Sequence, residues 1–403
     1  MSAISGLLST NEAATNELVG EFQETIFVRN SRGFNVGSTL FGLMSRLDNE
    51  GAENLEYNWF ERDPVRKTVY AQATATSSIT ALTFSDTATG AAGTVNFLLH
   101  AGMVLMNDVS REYVKVTATP TDTTNTITVT RGFAGTAATI NAGDTFTIVT
   151  LGKGEGSDPV RAAYENPSTL TNYIQTFNSV VELTNAFKGS VLRTDIEGPL
   201  NDRRLQALEK ISRDIEFSYL LGAKKKTAST SNAGFEYFTG GVYQGLIDAG
   251  LTSNVQNGAS ITLANFNAWL SNVLPYGSDV KLAFAGPQAY SAISTFANTG
   301  TNGYRIMQNE TVFGMHIQVI NTPFGELNLA QHPLLREAVG LRDWMFVLDL
   351  PHLTQKVFEK LFLEDNIQNN GVDSYKEQFR AKLGLRMKFP NAFGVIYDLA
   401  SIT

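Results

Sequence analysis

Hydrophobic and polar positions along the chain follow three regimes. Between residues 71 and 150 they alternate in short runs, at 79–84, 103–106, 112–116, 126–130 and 145–149. Thr126-Ile127-Thr128-Val129-Thr130 alternates strictly and is β-branched throughout, which predicts one buried and one wet face. Pro120 with Asp122, Gly132, Gly135, and Gly143 with Asp144 supply turns between the runs. Closely spaced strands with such punctuation predict a small barrel or sandwich. The flanking segments, 56–70 and 158–183, read as two extended arms. A lone two-stranded arm is marginal in water, so the pattern points to an assembly.

The second regime is one long helix over 199–222. Pro199 suits a first helical turn and Gly222 a stop. Leu205, Leu208, Ile211, Ile215 and Tyr219 recur at spacings of three and four, which predicts a narrow apolar stripe. Glu209 stands four residues before Arg213, the favourable order for an ion pair. Lys224-Lys225-Lys226 follows, read either as a nucleic-acid contact or, in preference, as cations at the negative helix end leading into a mobile Ser/Thr/Ala loop.

The third regime is mixed. Thr262 caps a predicted helix that ends before Pro275. Strands are predicted at 280–285, 315–320, 327–329 and 344–348, and a helix at 287–297. From 379 to 389, Phe379, Ala381, Leu383, Leu385, Met387 and Phe389 alternate with Arg380, Lys382, Gly384, Arg386 and Lys388. One face is apolar. The other is a stripe of four cations, facing DNA, an acidic neighbour, or solvent with local ion pairs. The first 50 residues are irregular. Residues 21–27 look extended and 40–47 helical, and Phe22, Ile26 and Phe27 predict that this segment docks on something.

Composition narrows the picture. The 403 residues are 43% hydrophobic, enough for two or three domains. There is no cysteine, which excludes disulfides, thiolate nucleophiles and Cys-based metal sites. The first ten residues lack the basic and apolar regions of a signal peptide, and the longest apolar stretch, 95–106, is too short for a membrane span. A net charge of −8 argues against tight nonspecific binding to a phosphate backbone. The block 71–150 holds 20 Thr and only 8 charged side chains, unlike its flanks.

Candidate chemistry is sparse. His100, His316, His332 and His352 have no ligand spacing. Gly152-Lys153-Gly154-Glu155-Gly156 lacks the Lys-Ser/Thr ending of a phosphate loop. Residues 365–376 have the length of a calcium loop, but Ile367, Asn370 and Lys376 fill positions that need other residues. Ser278-Asp279-Val280-Lys281 has the SxxK form and leads into a strand without partner motifs.

TVTRGFAGT (128–136), GEGS (154–157), NYIQTF (172–177), NTPFGELNL (321–329) and His332-Pro333 occur in an order that resembles the major capsid proteins of tailed bacteriophages with the Hong Kong 97-type fold. The resemblance is to the subgroup with a β module inserted in the extended loop. It implies an α+β fold divided into an N-terminal arm (1–55), an extended loop (56–70 and 151–185), an inserted all-β domain (71–150), a peripheral domain (186–256 and 342–403) with its spine helix, and an axial domain (257–341). The implied function is self-assembly through pentamers and hexamers into an icosahedral head around double-stranded DNA. Implied partners are further copies, portal, scaffolding and decoration proteins, and packaged DNA by weak nonspecific contact, without a membrane. Assembly in the host cytoplasm into a virion capsid follows. No catalytic residue, metal or cofactor is implied. Trp59, Glu61, Arg62, Arg66, Lys67, Tyr173, Gln175, Arg203, Arg204, Lys210 and Arg213 are the expected inter-subunit contacts, and Arg380, Lys382, Arg386 and Lys388 the expected genome-facing stripe. An encapsulin-like bacterial shell and an α/β enzyme with a β appendage are the alternative readings.

Overall fold

The computed structural model describes residues 47–86, 95, 98–119, 125–156, 163–164, 166–190, 199–229, 234–259, 261–298, 305–312 and 315–399. The expectations for 21–27 and nearly all of 40–47 lie outside the described residues. The chain divides into two compact units, one of residues 1–59 and 170–403, the other of residues 60–169.

Within the second unit, six strands close into an antiparallel barrel: Thr68–Ala71, Ala81–Ser85, Thr126–Thr130, Tyr113–Val116, Met103–Asn107 and Thr145–Leu151, in that spatial order. The alternation at 126–130 holds, with Ile127 and Val129 buried and the three threonines exposed. Phe84 and Phe146 meet edge to face at 5.1 Å in the barrel core, beside Val69, Leu82, Leu105 and Val114. The barrel begins earlier than the sequence suggests. Thr68–Ala71, all but its last residue assigned to the arm, pairs with both Ala81–Ser85 and Thr145–Leu151 and closes the ring.

The first unit contains two sheets. Leu353–Glu364, Ser374–Met387 and Gln175–Thr184 pair antiparallel, and Asp48–Gly51 adds in parallel at the Leu353–Glu364 edge. The long helix Pro199–Leu221 shares a core with this sheet, through Ile211, Ile215 and Tyr219 with Phe177, Ala381, Leu383 and Leu385. The second sheet has seven strands, in the order Val255–Asn257, Gly394–Tyr397, Met345–Leu348, Val280–Ala285, Gly325–Gln331, Met315–Thr322, Arg305–Val312. Met345–Leu348 and residues 282–285 read as unbroken apolar runs because both faces are covered. Leu282, Phe284, Phe346 and Leu348 face the first core. Ala283, Ala285, Met345 and Val347 face a second core with Phe266, Trp269 and Leu270 of helix Leu263–Val273.

Several boundaries differ from the sequence reading. Gln175–Thr184 joins the four-stranded sheet, whereas Ser168–Tyr173 pairs with Glu56–Glu61 in a two-stranded ribbon. The break falls at Ile174, whose side chain is buried and whose N–H donates to Leu55 O at 2.8 Å. Met345–Leu348 and Gly394–Tyr397 lie in the seven-stranded sheet, so residues 342–403 do not form one layer with the long helix. Within the expected N-terminal arm, Asp48–Gly51 is a sheet strand. The strand expected at 379–389 runs Ser374–Met387, and Phe389 has left-handed backbone (φ 51°) and is 53% exposed. Leu205 is 51% exposed, and Ala207 takes its place in the buried stripe. Lys225–Ala228 forms a hairpin with Phe235–Phe238 instead of starting a loop. Leu353–Glu364, unforeseen, mixes Lys and Glu with apolar residues because half its length packs on one face only.

Candidate assembly surfaces and buried ion pairs

The ribbon carries four of the expected contact residues on or beside it. Trp59 stacks on Tyr57 at 6.1 Å, and Tyr57 Oη donates to Leu385 O at 2.7 Å. Burial pushes the Tyr57 hydroxyl well above its ordinary pKa. Glu61 O accepts from Ser168 Oγ, and Tyr173 meets Tyr237 at 5.8 Å. Gln175 Oε1, at the start of the sheet strand, accepts from Thr239 N at 3.1 Å. Arg62 and Lys67 are exposed, and Arg66 reaches Asp86 at 3.6 Å across solvent.

On the long helix the expected residues part company. Arg203 and Lys210 are exposed, and Arg203 donates to Gln206 at 2.9 Å. Arg213 pairs with Glu209 at 2.6 Å along the helix. Arg204 instead turns onto the sheet. It holds Glu377 in two hydrogen bonds of 2.7 and 2.6 Å and donates to Tyr375 Oη. The Glu377 carboxylate lifts the guanidinium pKa further, partly opposed by burial. Arg204 is therefore engaged within its own chain.

The cationic stripe is matched by carboxylates. Arg380 lies 3.5 Å from Glu359 and 3.2 Å from Glu364, and Lys382 lies 3.0 Å from Glu359. Arg386 and Lys356 both bind Glu50 on the parallel strand, Lys356 at 2.7 Å. Burial raises the Glu50 pKa, but these two cations outweigh it and hold the carboxyl below its ordinary value. Three of the four cations thus have local partners, and Lys388 gives its N–H to His352 O.

Three buried polar clusters form from partners that the sequence reading did not bring together. In the barrel, Arg131 grips Glu112 through two bonds of 2.8 Å, and Glu112 also accepts from Gly132 N and Ala138 N. Arg131 gives its other protons to Thr76 O, Ile79 O and Ala138 O. Burial pushes Glu112 up, but Arg131 and the two amides together hold it below the ordinary carboxylate value. The quoted stretch TVTRGFAGT contains this arginine. In the first unit, Lys281 Nζ donates to Val273 O (3.1 Å), Tyr276 O (2.5 Å) and Ala392 O (2.6 Å), 3.9 Å from Asp349. Burial lowers this ammonium to about 8, with Asp349 pulling the other way. Ser278 gives both N–H and Oγ–H to Asp349. The SxxK serine and lysine thus converge on a carboxylate, in a cluster whose protons are all committed to structure. The third cluster is Glu216 with His332 at 2.9 Å, both buried, joining the long helix to the end of Gly325–Gln331.

Among the described residues no group of His, Cys, Asp and Glu is arranged to hold a metal, and no helix is long and apolar enough to cross a membrane.

Residues 44–400 match the family described as SU10 major capsid protein. No curated protein matches the chain. Solved structures with a similar course of chain include one from Mycobacterium phage Bobi (10% identity, TM-score 0.47, covering 96% of this chain and 98% of that one). Another is from Mycobacterium phage Adephagia (10% identity, TM-score 0.46, covering 99% of both chains). The holo-SrpI encapsulin complex from Synechococcus elongatus PCC 7942 is similar over a smaller part, 58% of this chain and 76% of that one, at 12% identity and a TM-score of 0.40.

Proposed function

Because the chain belongs to the SU10 major capsid protein family, we propose that it associates with copies of itself, through rings of five and six, into the icosahedral head that encloses the double-stranded DNA of a tailed bacteriophage. The observation that carries this reading is the family match over residues 44–400. The family is one of structural proteins, and the buried clusters described above act as fasteners.

The fold is read as Hong Kong 97-like. The ribbon Glu56–Glu61 with Ser168–Tyr173 is the shaft of the extended loop, and the barrel is the β domain inserted in it. The four-stranded sheet with the long helix is the peripheral domain, and the seven-stranded sheet the axial one. Exposed Arg62, Lys67, Arg203 and Lys210 are the ones left to meet neighbouring copies. Portal, scaffolding and decoration proteins are the further partners, and DNA touches the shell weakly because most of the cationic stripe is neutralised in place. Assembly takes place in the host cytoplasm.

The test is expression of the chain followed by negative-stain microscopy and analysis of particle contents. Uniform polyhedra, and DNA inside those recovered from infected cells, are expected. Polyhedra that hold protein cargo and never nucleic acid would favour a nanocompartment shell, and a monodisperse monomer at high concentration would end the proposal.

A further inference from the structure

An asparagine followed by glycine lets the main chain turn onto the asparagine's own side chain, because glycine has no Cβ to crowd the approach and few limits on φ. The chain has three such pairs, Asn257-Gly258, Asn302-Gly303 and Asn370-Gly371. The second lies outside the described residues. The other two stand in the first unit in opposite circumstances.

Asn257 ends the strand Val255–Asn257, in parallel register with Tyr397. Gly258 is buried, and its N–H donates to Tyr397 O at 2.7 Å. A Cβ on Gly258 would stand 3.0 Å from Ile396 Cγ2 and from Leu399 Cα. Asn257 Oδ1 accepts from Ala259 N at 2.8 Å. The nitrogen and the carboxamide are both held, and bringing them together means opening the edge of the seven-stranded sheet.

Asn370 and Gly371 lie in the loop between Leu353–Glu364 and Ser374–Met387, and both are exposed. Gly371 has φ 86°, and no atom lies within 4 Å of the place a Cβ would take. The loop is anchored at its sides. Ile367 N donates to Lys376 O at 2.9 Å, Tyr375 Oη donates to Asp365, and Asn185 Nδ2 donates to Asp373 at 2.6 Å. At its tip, neither the Asn370 carboxamide nor the Gly371 N–H has a hydrogen-bond partner among the described residues.

We infer that Asn370 is a site of self-modification, where Gly371 N closes on Asn370 Cγ and the carboxamide becomes a carboxylate. The N–Cγ bond forms and the Cγ–Nδ2 bond breaks. The Gly371 amide proton leaves with the departing amine as ammonia. Water then opens the five-membered imide at either carbonyl, giving aspartate, or isoaspartate with the main chain routed through the side chain. Water enters and ammonia leaves, so neither oxidant nor cofactor is needed. The product adds a negative charge to a loop that already holds Asp365 and Asp373. The reaction belongs to the single chain and proceeds whether or not shells form.

The test ages the full, unassembled chain in mildly alkaline buffer, folded and in concentrated urea, and follows both sites by peptide mass mapping. Folded, Asn370 is expected to react within about threefold of its own rate in urea, since an exposed loop tip needs no opening. Asn257 is expected to be slowed at least about tenfold relative to urea, because each closure waits on local unfolding. Slowing of Asn370 as strong as that of Asn257 would overturn the inference. Isoaspartate is expected among the products at 370, and aspartate alone would mean direct hydrolysis and overturn the ring closure. Gly371→Ala, checked for folding by circular dichroism, is expected to slow the reaction about fivefold or more in urea as well, because its Cβ crowds the attacking nitrogen. An unchanged rate there would overturn the attack by residue 371.

Discussion

At the scale of single residues, the buried cations Arg131 and Lys281 have every side-chain proton placed. Removing one partner of a buried ion pair strands the other in a low-dielectric interior, at about 3–5 kcal/mol. Arg131→Ala is therefore expected to melt the barrel well below the rest of the molecule, seen as an early calorimetric transition and rapid proteolysis within residues 68–151. Coincident melting of variant and wild type would show the Arg131–Glu112 contact to be idle. Acid acts on the same contact. Glu112 has a folded-state pKa below its unfolded value, so its contribution is complete above the unfolded value near 4.5 and is lost as pH falls through the folded one. Barrel stability should decline below about pH 4.5, and Glu112→Gln, already destabilised, should show a shallower decline.

At the scale of elements, the long helix separates two kinds of ion pair. Glu209–Arg213 runs along its half-exposed side, where such a pair contributes roughly 0.2–0.5 kcal/mol. Arg204–Glu377 ties the helix to the sheet, with Glu377 fully buried. Glu209→Ala should shift the denaturant midpoint barely, and Arg204→Ala by several times as much. Equal shifts would contradict the distinction. The helix stop is equally specific. Gly222 keeps an ordinary φ, but a Cβ there would lie 2.3 Å from Ser218 O and 2.5 Å from Thr239 O. The glycine is required by backbone packing against Thr239–Gly241, and Gly222→Ala should cost more than the ~1 kcal/mol by which alanine usually favours a helix.

At the scale of the whole molecule, the barrel strands have their hydrogen-bond partners among themselves. Excising residues 68–151 and joining Lys67 to Gly152 with a short Gly/Ser bridge should leave the first unit folded, as judged by its thermal transition. A cut beginning at Thr74 is expected to do worse, since it leaves Thr68–Ala71 without its two barrel neighbours. Collapse of both deletions would mean that the barrel supports the rest. In the proposed shell, a contact of ordinary size, about 1,600 Å², can hold a Kd near 1 mM, or about −4 kcal/mol. Many made together still close a tight particle, and weak single contacts let misplaced copies leave.

Alternation and helical spacing are local properties, and they determined the strands at 126–130 and 280–285, the helix from Leu263 and the long helix before any packing was known. The order of the quoted stretches, TVTRGFAGT among them, pointed to the family. Only the tertiary structure decided which sheet each strand joins: Met345–Leu348 reads as a strand anywhere, and pairing with Val280–Ala285 and Gly394–Tyr397 places it. The same holds for charge. Arg204 and Arg380 look alike in sequence to Arg203, yet the first two meet carboxylates more than 10 residues away in the chain, at Glu377, Glu359 and Glu364. A charged side chain declares its need for a partner but not the partner's address, because the cost of burial is set by whatever distant segment folding brings beside it.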